Sequence, residues 1–262
     1  MKSLLFIPKI ITSILVITRI KTLDYLNFFF DYYNWSVLKP QIDEIIYVDP
    51  SHINLAVTPR LGKGYIKNLH IFDKTIATRY PLGTAQDGDW DINVHDLFTQ
   101  KSGKRIKILM DIYNSQNEID KKFYQKELIN FLLKNNTSFT IKEANEEVKR
   151  AEYIYKSIVK NGFKDHFYQT YNFMSFKFKI KTKSGIRIAI GRNGDIIWIG
   201  SHHRMAISKV LKLKSVPALV YYRHTYWQEK RKDFVTNLIE DKKLKIDKNH
   251  PDIINIYNHY KK

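Results

Sequence analysis

Between Ile186 and Tyr222 the apolar pattern changes period twice, and each change is punctuated by residues that bend a chain. Two short β-branched runs, Ile186–Ile190 and Ile196–Ile199, flank Arg192-Asn193-Gly194-Asp195. Asn-Gly tolerates the positive φ of a tight turn, so this pattern predicts a hairpin. Met205 to Leu213 then sets Ile207, Val210 and Leu211 at helical spacing, and Val216 to Tyr222 returns to a buried-strand pattern. Hairpin, loop, helix and strand in that order require a sheet with a helix laid against it. The fold class is therefore α/β (α+β), with a mixed-sheet core.

The rest of the chain is consistent with that core. Ala144, Val148, Ala151, Ile154 and Ile158 recur every three or four residues, Thr140 with Glu143 matches a capping box, and Asn161-Gly162 supplies a stop. Ile42 to Val48 reads as a strand, ended by Asp49-Pro50-Ser51, which starts a helical turn. Leu61 to Asp91 reads as mixed strand and turn, Ile106 to Lys134 as helical, and Phe163 to Ser184 as an aromatic and basic link. The expected organisation is an apolar and aromatic helical segment over 1–40, a domain over 41–228 with a helical insertion at about 100–140, and a charged helical tail over 229–262.

With 44 basic and 26 acidic residues the net charge is +18, a field that favours anionic partners such as nucleic acid, nucleotides or an acidic membrane. The same excess of Lys, together with Ile, Asn and Tyr, is also what an AT-rich genome produces. There is no cysteine, which removes disulfides and thiolate chemistry and fits a reducing compartment such as the cytoplasm. Residues 3–20 are apolar but interrupted by Pro8 and Lys9, too short a run for a membrane span. They suit a helix packed on the domain or a peripheral contact with an anionic membrane surface.

The chemistry concentrates in Gly200-Ser201-His202-His203-Arg204, where a strand runs into a helix. The first turn of a helix carries unpaired N–H groups and partial positive charge, so it receives anions. Gly200 permits close approach, Ser201 can cap the helix or bind a phosphate oxygen, and Arg204 can grip phosphate with two prongs. His202 and His203 can bond phosphate or move protons near neutral pH. The competing reading makes Ser201 a plain cap and the histidines surface residues.

Gly185 to Arg223 resembles the core of the ParB/sulfiredoxin superfamily. The run from Ile190 to Pro217 is similar to its strand, G-x-H-R loop, helix and x-V-P strand, and Ser157 to Phe163 is similar to its S-I-x-x-x-G helix end. The likeness covers Ala151 to Gln228. Sulfiredoxin chemistry is excluded, because its catalytic cysteine has no counterpart here. The roughly 35 residues after Trp227 are too few for both the helix-turn-helix and the dimerisation region of partition proteins. The loop is most similar to that of the ParB-like free serine kinases, Asp-Gly-His-His-Arg, with Ile199 in place of the aspartate and Ser201 inserted.

That resemblance implies ATP or ADP as ligand, with CTP as the variant, and Mg2+ beside the phosphates. It also implies a carboxylate in an earlier loop facing the phosphate site. Asp87-Gly88-Asp89-Trp90-Asp91 is the candidate: if extended, Asp87, Asp89 and Asp91 share one side as metal ligands, and Asp89 or Asp91 activates the acceptor. The alternative is an Asp-Gly turn capping nearby N–H groups. Arg223 and His224 follow the last strand and could reach the anion from the side. Trp227 either stacks on a base or packs the tail helix, and Arg187 and Arg192 read as surface charges. The expected function is phosphoryl transfer from a nucleotide to a small hydroxyl compound such as a sugar or glycan precursor. The alternatives are a nucleic-acid-binding or nuclease-type module, and a nucleotide sensor held at a membrane.

Overall fold

The computed structural model describes residues 44–57, 84–86, 88–92, 94–99, 101–135, 139–173, 176–240, 242–243 and 246–260. The expectations for 1–40, for the region 61–83 and for Asp87 lie outside the described residues.

The fold is a mixed α/β structure. Its sheet runs β1 (Ile45–Val48), β9 (Val216–His224), β7 (Ile186–Ile190), β8 (Ile196–Gly200), β2 (Leu55–Val57) and β4 (Val94–Asp96), and β3 (Thr84–Gln86) also pairs with β9. Within it β7 lies parallel to β9, β8 lies antiparallel to β7, and β2 lies parallel to β8. Every residue of β9 is buried, as a central strand covered on both faces requires.

The Asn-Gly hairpin is present as expected, with Gly194 at φ 96° in its turn. A Cβ there would lie 2.6 Å from the ring of Trp227. Gly194→Ala therefore combines an unfavourable backbone with a steric clash, and a loss of about 2–4 kcal/mol is expected in a denaturant titration.

One face of the sheet packs against helices. These are α1 (Lys101–Asn114), α2 (Glu118–Asn135), α3 (Ile141–Asn161) and α4 (His202–Val210). Ile186, Ile188, Ile190 and Trp198 from the sheet meet Ile106, Leu109, Leu128, Ala144, Val148, Met205 and Ala206 in one core. The capping box on α3 is complete, and Gly162 ends that helix at φ 74°. The other face carries a second cluster of Trp90, Ala189, Ile197, Leu219, Tyr221 and Tyr222.

Three boundaries differ from expectation. The helix α4 begins at His202 rather than Met205, so two histidines and Arg204 form its first turn. The region 163–184 is not a link but a separate two-stranded ribbon, β5 (His166–Phe173) with β6 (Phe176–Lys183). And the charged tail expected over 229–262 is helical, but its first helix begins earlier and it packs into the domain: α5 starts at Thr225 and runs to Ile239, α6 spans Ile254–Tyr260, and Phe234, Val235, Ile253 and Ile256 are buried in the main core. Among the described residues no helix is long and apolar enough to cross a membrane.

Candidate functional site

At the end of β8 the register slips by one residue: Arg187 faces Gly200 but Ile188 faces Trp198, which leaves Ile199 as the extra residue of a bulge. Bulges bend a strand and re-aim the residues beyond them. Here the chain turns through Ser201 in the left-handed region, φ 73° and ψ 56°, and enters α4. A non-glycine residue in that conformation is strained, and such strain collects at functional positions.

Ser201 occupies the N-cap position but does not cap. Its hydroxyl donates to the carbonyl of Gly185 at 3.1 Å, and the first bond of the helix runs from Met205 N to Ser201 O. The amides of His202, His203 and Arg204 have no hydrogen-bond partner among the described residues. A helix start left open in this way is an anion receptacle.

Cations surround it. Arg204 is half-buried and makes no ion pair among the described residues. Burial first, then the charges of Arg187 and Arg150, hold its guanidinium below the usual arginine value. Arg187, expected to be a surface charge, lies across from Gly200, with its guanidinium 5.6 Å from the Tyr221 ring centroid. His202 sits edge-on to Trp198 with centroids 5.0 Å apart. Burial, followed by Arg105 and His203, brings the His202 imidazole down to about 3, so it is neutral near pH 7.

The neighbouring His203 points inward. Its Nδ1 lies 3.1 Å from the Tyr113 hydroxyl and its Nε2 2.8 Å from Glu147 Oε1. Arg105 also donates to Glu147, and Arg150 lies 3.8 Å from its other oxygen. Burial alone would raise the Glu147 carboxyl, but the His203 hydrogen bond and the charges of His203, Arg105 and Arg150 outweigh it and hold it low. His203 is lowered by burial in spite of Glu147. The pair is therefore an ionised carboxylate accepting from the Nε2–H of a neutral imidazole, with the Tyr113 O–H donating to Nδ1. Tyr113 in turn stacks on Tyr155 at 4.9 Å. These partners are not among the residues singled out in the sequence, yet a signal exists: Glu147 falls three residues after Ala144 and four before Ala151, a charge set in an apolar stripe.

The acidic island is elsewhere. Residues 88–92 form a turn, not an extended segment, with Ile92 N bonded to Asp89 O. Trp90 is turned inward as expected. The Asp91 carboxylate accepts from Arg192 N at 2.6 Å and from its guanidinium at 2.8–3.1 Å, and Asp89 accepts from the same guanidinium at 2.9 Å. Burial raises the Asp91 carboxyl, but the bonds from Arg192 outweigh it and the net shift is downward. Arg192 stands in the β7–β8 turn, and four residue steps of β8, roughly 13 Å, separate that turn from Gly200. The expectation that Asp89 and Asp91 face the histidine loop is corrected on this geometry. Both are engaged by Arg192 at the opposite end of the hairpin. Among the described residues no group of three His, Asp or Glu side chains could hold a metal ion.

Arg223 and His224 also lie at that far end, because β9 runs parallel to β7 and Arg223 pairs with Ile190. Neither reaches the α4 start. Arg223 is fully buried and bonded to Asp252 at 2.6 Å and Glu44 at 2.6 Å. His224 caps α5 by accepting from Tyr226 N, and its Nε2 lies 2.9 Å from the Gly88 carbonyl. Trp227 packs rather than waits for a base: its Nε1–H donates to Asp252 at 2.8 Å and its ring meets His250. Of the residues singled out in the sequence, Gly200, Ser201, His202, His203 and Arg204 come together, joined by Arg187, Arg105, Arg150, Glu147 and Tyr113. No family model, curated protein or solved structure matches this chain.

Proposed function

We propose that this protein receives the phosphates of a nucleotide, ATP or ADP with CTP as the variant, at the start of α4 and transfers a phosphoryl group to a small hydroxyl compound of the sugar or glycan-precursor type. One observation carries the reading. Ser201 turns its hydroxyl to Gly185 and leaves the α4 amides uncapped, while Arg204 stands among them without an acidic partner among the described residues. Free N–H groups beside an uncompensated guanidinium are costly in the absence of an anion and favourable once one arrives. The resemblance of Gly200–Arg204 to the loop of the ParB-like free serine kinases points the same way.

Phosphoryl transfer needs charge stabilisation and an oriented acceptor more than covalent help from the protein. In this reading the α4 amides, Arg204 and Arg187 hold the phosphates and take up charge as the acceptor oxygen bonds phosphorus and the leaving oxygen departs. His202, neutral, contributes a hydrogen bond rather than a charge. The carboxylate role passes from Asp89 and Asp91 to Glu147, the acid next to the site, which orients the acceptor hydroxyl and takes its proton. Asp89 and Asp91, bound to Arg192, do not fit a magnesium site for this reaction. Magnesium enters only as the companion of the nucleotide phosphates.

The test is a thermal-shift screen across nucleoside di- and triphosphates, with and without magnesium, since a ligand of the folded form raises its apparent stability. A shift with at least one nucleotide is expected. Glu147→Gln is expected to keep that shift and to lower turnover by about 100-fold or more, the range of general acid–base contributions. No shift with any nucleotide, or full turnover in Glu147→Gln, removes the respective half of the proposal.

A further inference from the structure

The charges around the start of α4 do not balance, and the imbalance has a size. Arg204 stands in the first turn of the helix, and Arg187 crosses in front of Gly200, where a Cβ added to the glycine would lie 3.0 Å from Arg187 Cδ. Arg105 and Arg150 reach the same place from α1 and α3, and both flank Glu147. Against these four guanidinium groups stands one carboxylate. The elements α4, β7, β8 and β9 contain no Asp or Glu. On α3 Glu143 is bound to Thr140 and Glu146 to Lys149. Asp111, the acid of α1, lies six residues beyond Arg105, about 9 Å along the axis. His203, held below its usual value by burial, adds no charge. Four positive charges against one negative leave three without a counter-charge.

The hydrogen-bond donors are equally one-sided. Besides the open amides of α4, the indole N–H of Trp198 is buried without a hydrogen-bond partner among the described residues, in the ring that meets His202 edge-on. The Ser184 hydroxyl, adjoining the Gly185 that receives Ser201, is buried in the same condition. Oxygen atoms that could hold a cation are scarce by comparison. Both Glu147 oxygens are engaged, Oε1 by Arg105 and His203, and Oε2 with Arg150 at 3.8 Å. A magnesium ion requires several oxygen ligands, and here it would stand among guanidinium groups that repel it. The residues do not fit the ion that the family resemblance implies.

Phosphate chemistry then selects the ligand. A terminal phosphoryl group carries a charge of about −1.5 to −2 near neutral pH, and a second in the same chain adds about one more. A diphosphate therefore matches the excess of positive charge and a monophosphate does not. Magnesium on the diphosphate would cancel most of its charge and undo the match. We infer that the α4 start takes a diphosphate group in its metal-free form, with Arg187, Arg204, Arg150 and Arg105 standing where magnesium would otherwise neutralise it. Magnesium that accompanies the ligand in solution is left behind on binding. The inference rests on the reading of the α4 start as a phosphate receptacle and goes beyond it in ligand class and metal requirement.

Isothermal titration of the native protein with ADP, pyrophosphate and AMP, each with EDTA and with magnesium in excess, is the test. ADP and pyrophosphate are expected to bind at least about 10-fold more weakly in magnesium, because only their metal-free fraction is competent. Without magnesium, AMP is expected to bind about 10-fold or more weakly than ADP, since it forgoes the charge-assisted bonds of the second phosphoryl group. Arg187→Gln is expected to lower ADP affinity in EDTA by roughly 10- to 100-fold, with its unliganded unfolding midpoint controlling for folding. Binding that requires magnesium, or tightens with it, overturns the inference and leaves the phosphate receptacle standing. AMP bound as tightly as ADP, or full ADP affinity in Arg187→Gln, overturns it as well. No binding of any of the three compounds under either condition removes the receptacle and the inference together.

Discussion

Replacing Arg204 by methionine is expected to weaken anion binding at α4 by at least about 100-fold and, at the same time, to leave the unliganded protein no less stable. The two halves have one cause. A two-pronged guanidinium–phosphate contact comprises two charge-assisted hydrogen bonds of about 1.5–3 kcal/mol each, so its loss weakens binding by about 100- to 10,000-fold. In the free protein the same group contributes nothing favourable: it is half-buried, lacks a carboxylate among the described residues, and feels the repulsion of Arg187 and Arg150. Methionine keeps most of the side-chain volume and removes the charge. Isothermal titration with the nucleotide that gives the largest thermal shift, together with urea unfolding of the empty protein, measures both. An Arg204→Met protein that loses several kcal/mol of stability would mean that the guanidinium is a structural group with a partner, and the receptacle would have to be abandoned.

The second large effect is expected at Asp252. This carboxylate is fully buried and accepts from Arg223 Nε and Nη2 and from Trp227 Nε1, while Arg231 Nε lies 3.3 Å away. Asp252→Asn leaves two buried guanidinium groups with Glu44 as their remaining acid, and removal of one partner from a buried pair costs about 3–5 kcal/mol. That is a large part of the roughly 5–15 kcal/mol that holds a typical domain together. The pH dependence has a definite sign. Burial alone would raise the Asp252 carboxyl, but Arg223 and Arg231 hold it below the ordinary value of 3.8. A carboxyl lowered by folding stabilises the protein above its unfolded value and ceases to do so as pH falls through its folded value. The native protein is thus expected to lose this contribution only on acidification below about pH 4, whereas Asp252→Asn lacks it at every pH. Urea titrations of both proteins between neutral and acid pH should converge at the acid end.

The elements legible in the sequence are those specified by neighbours along the chain. Thr140, Glu143 and Gly162 mark both ends of α3 because capping is a matter of residues three or four apart. Asn193-Gly194 marks the β7–β8 turn for the same reason. The loop Gly200–Arg204 is readable as an anion site from its place between a strand and a helix, although the helix starts three residues earlier than its apolar residues suggest. The misreadings concern residues joined across the chain. Asp91 reads as a free carboxylate until Arg192, 101 residues away, is brought to it. Arg223 reads as a cation at a strand end, and nothing near it in sequence reveals Asp252 and Glu44. The ribbon β5–β6 escapes a pattern search because only β6 alternates cleanly, while β5 carries Gln169 and Tyr168 where a simple pattern would reverse them. Glu147 is visible as a charge inside an apolar stripe, but its partners His203 and Arg105 lie on two other helices.

The buried Arg223 cluster also bears on how the molecule is made. Glu44 and Arg223 are 179 positions apart, and Arg223 and Asp252 a further 29. A ribosome delivers them in that order, so while residue 223 is emerging the central strand of the sheet has one of its counter-charges and lacks the other. The sheet cannot close around its own arginines until the segment bearing Asp252 has left the exit tunnel. Completion of this fold therefore waits for the segment bearing Asp252, and a nascent chain stalled short of residue 252 is expected to be held open and accessible to chaperones.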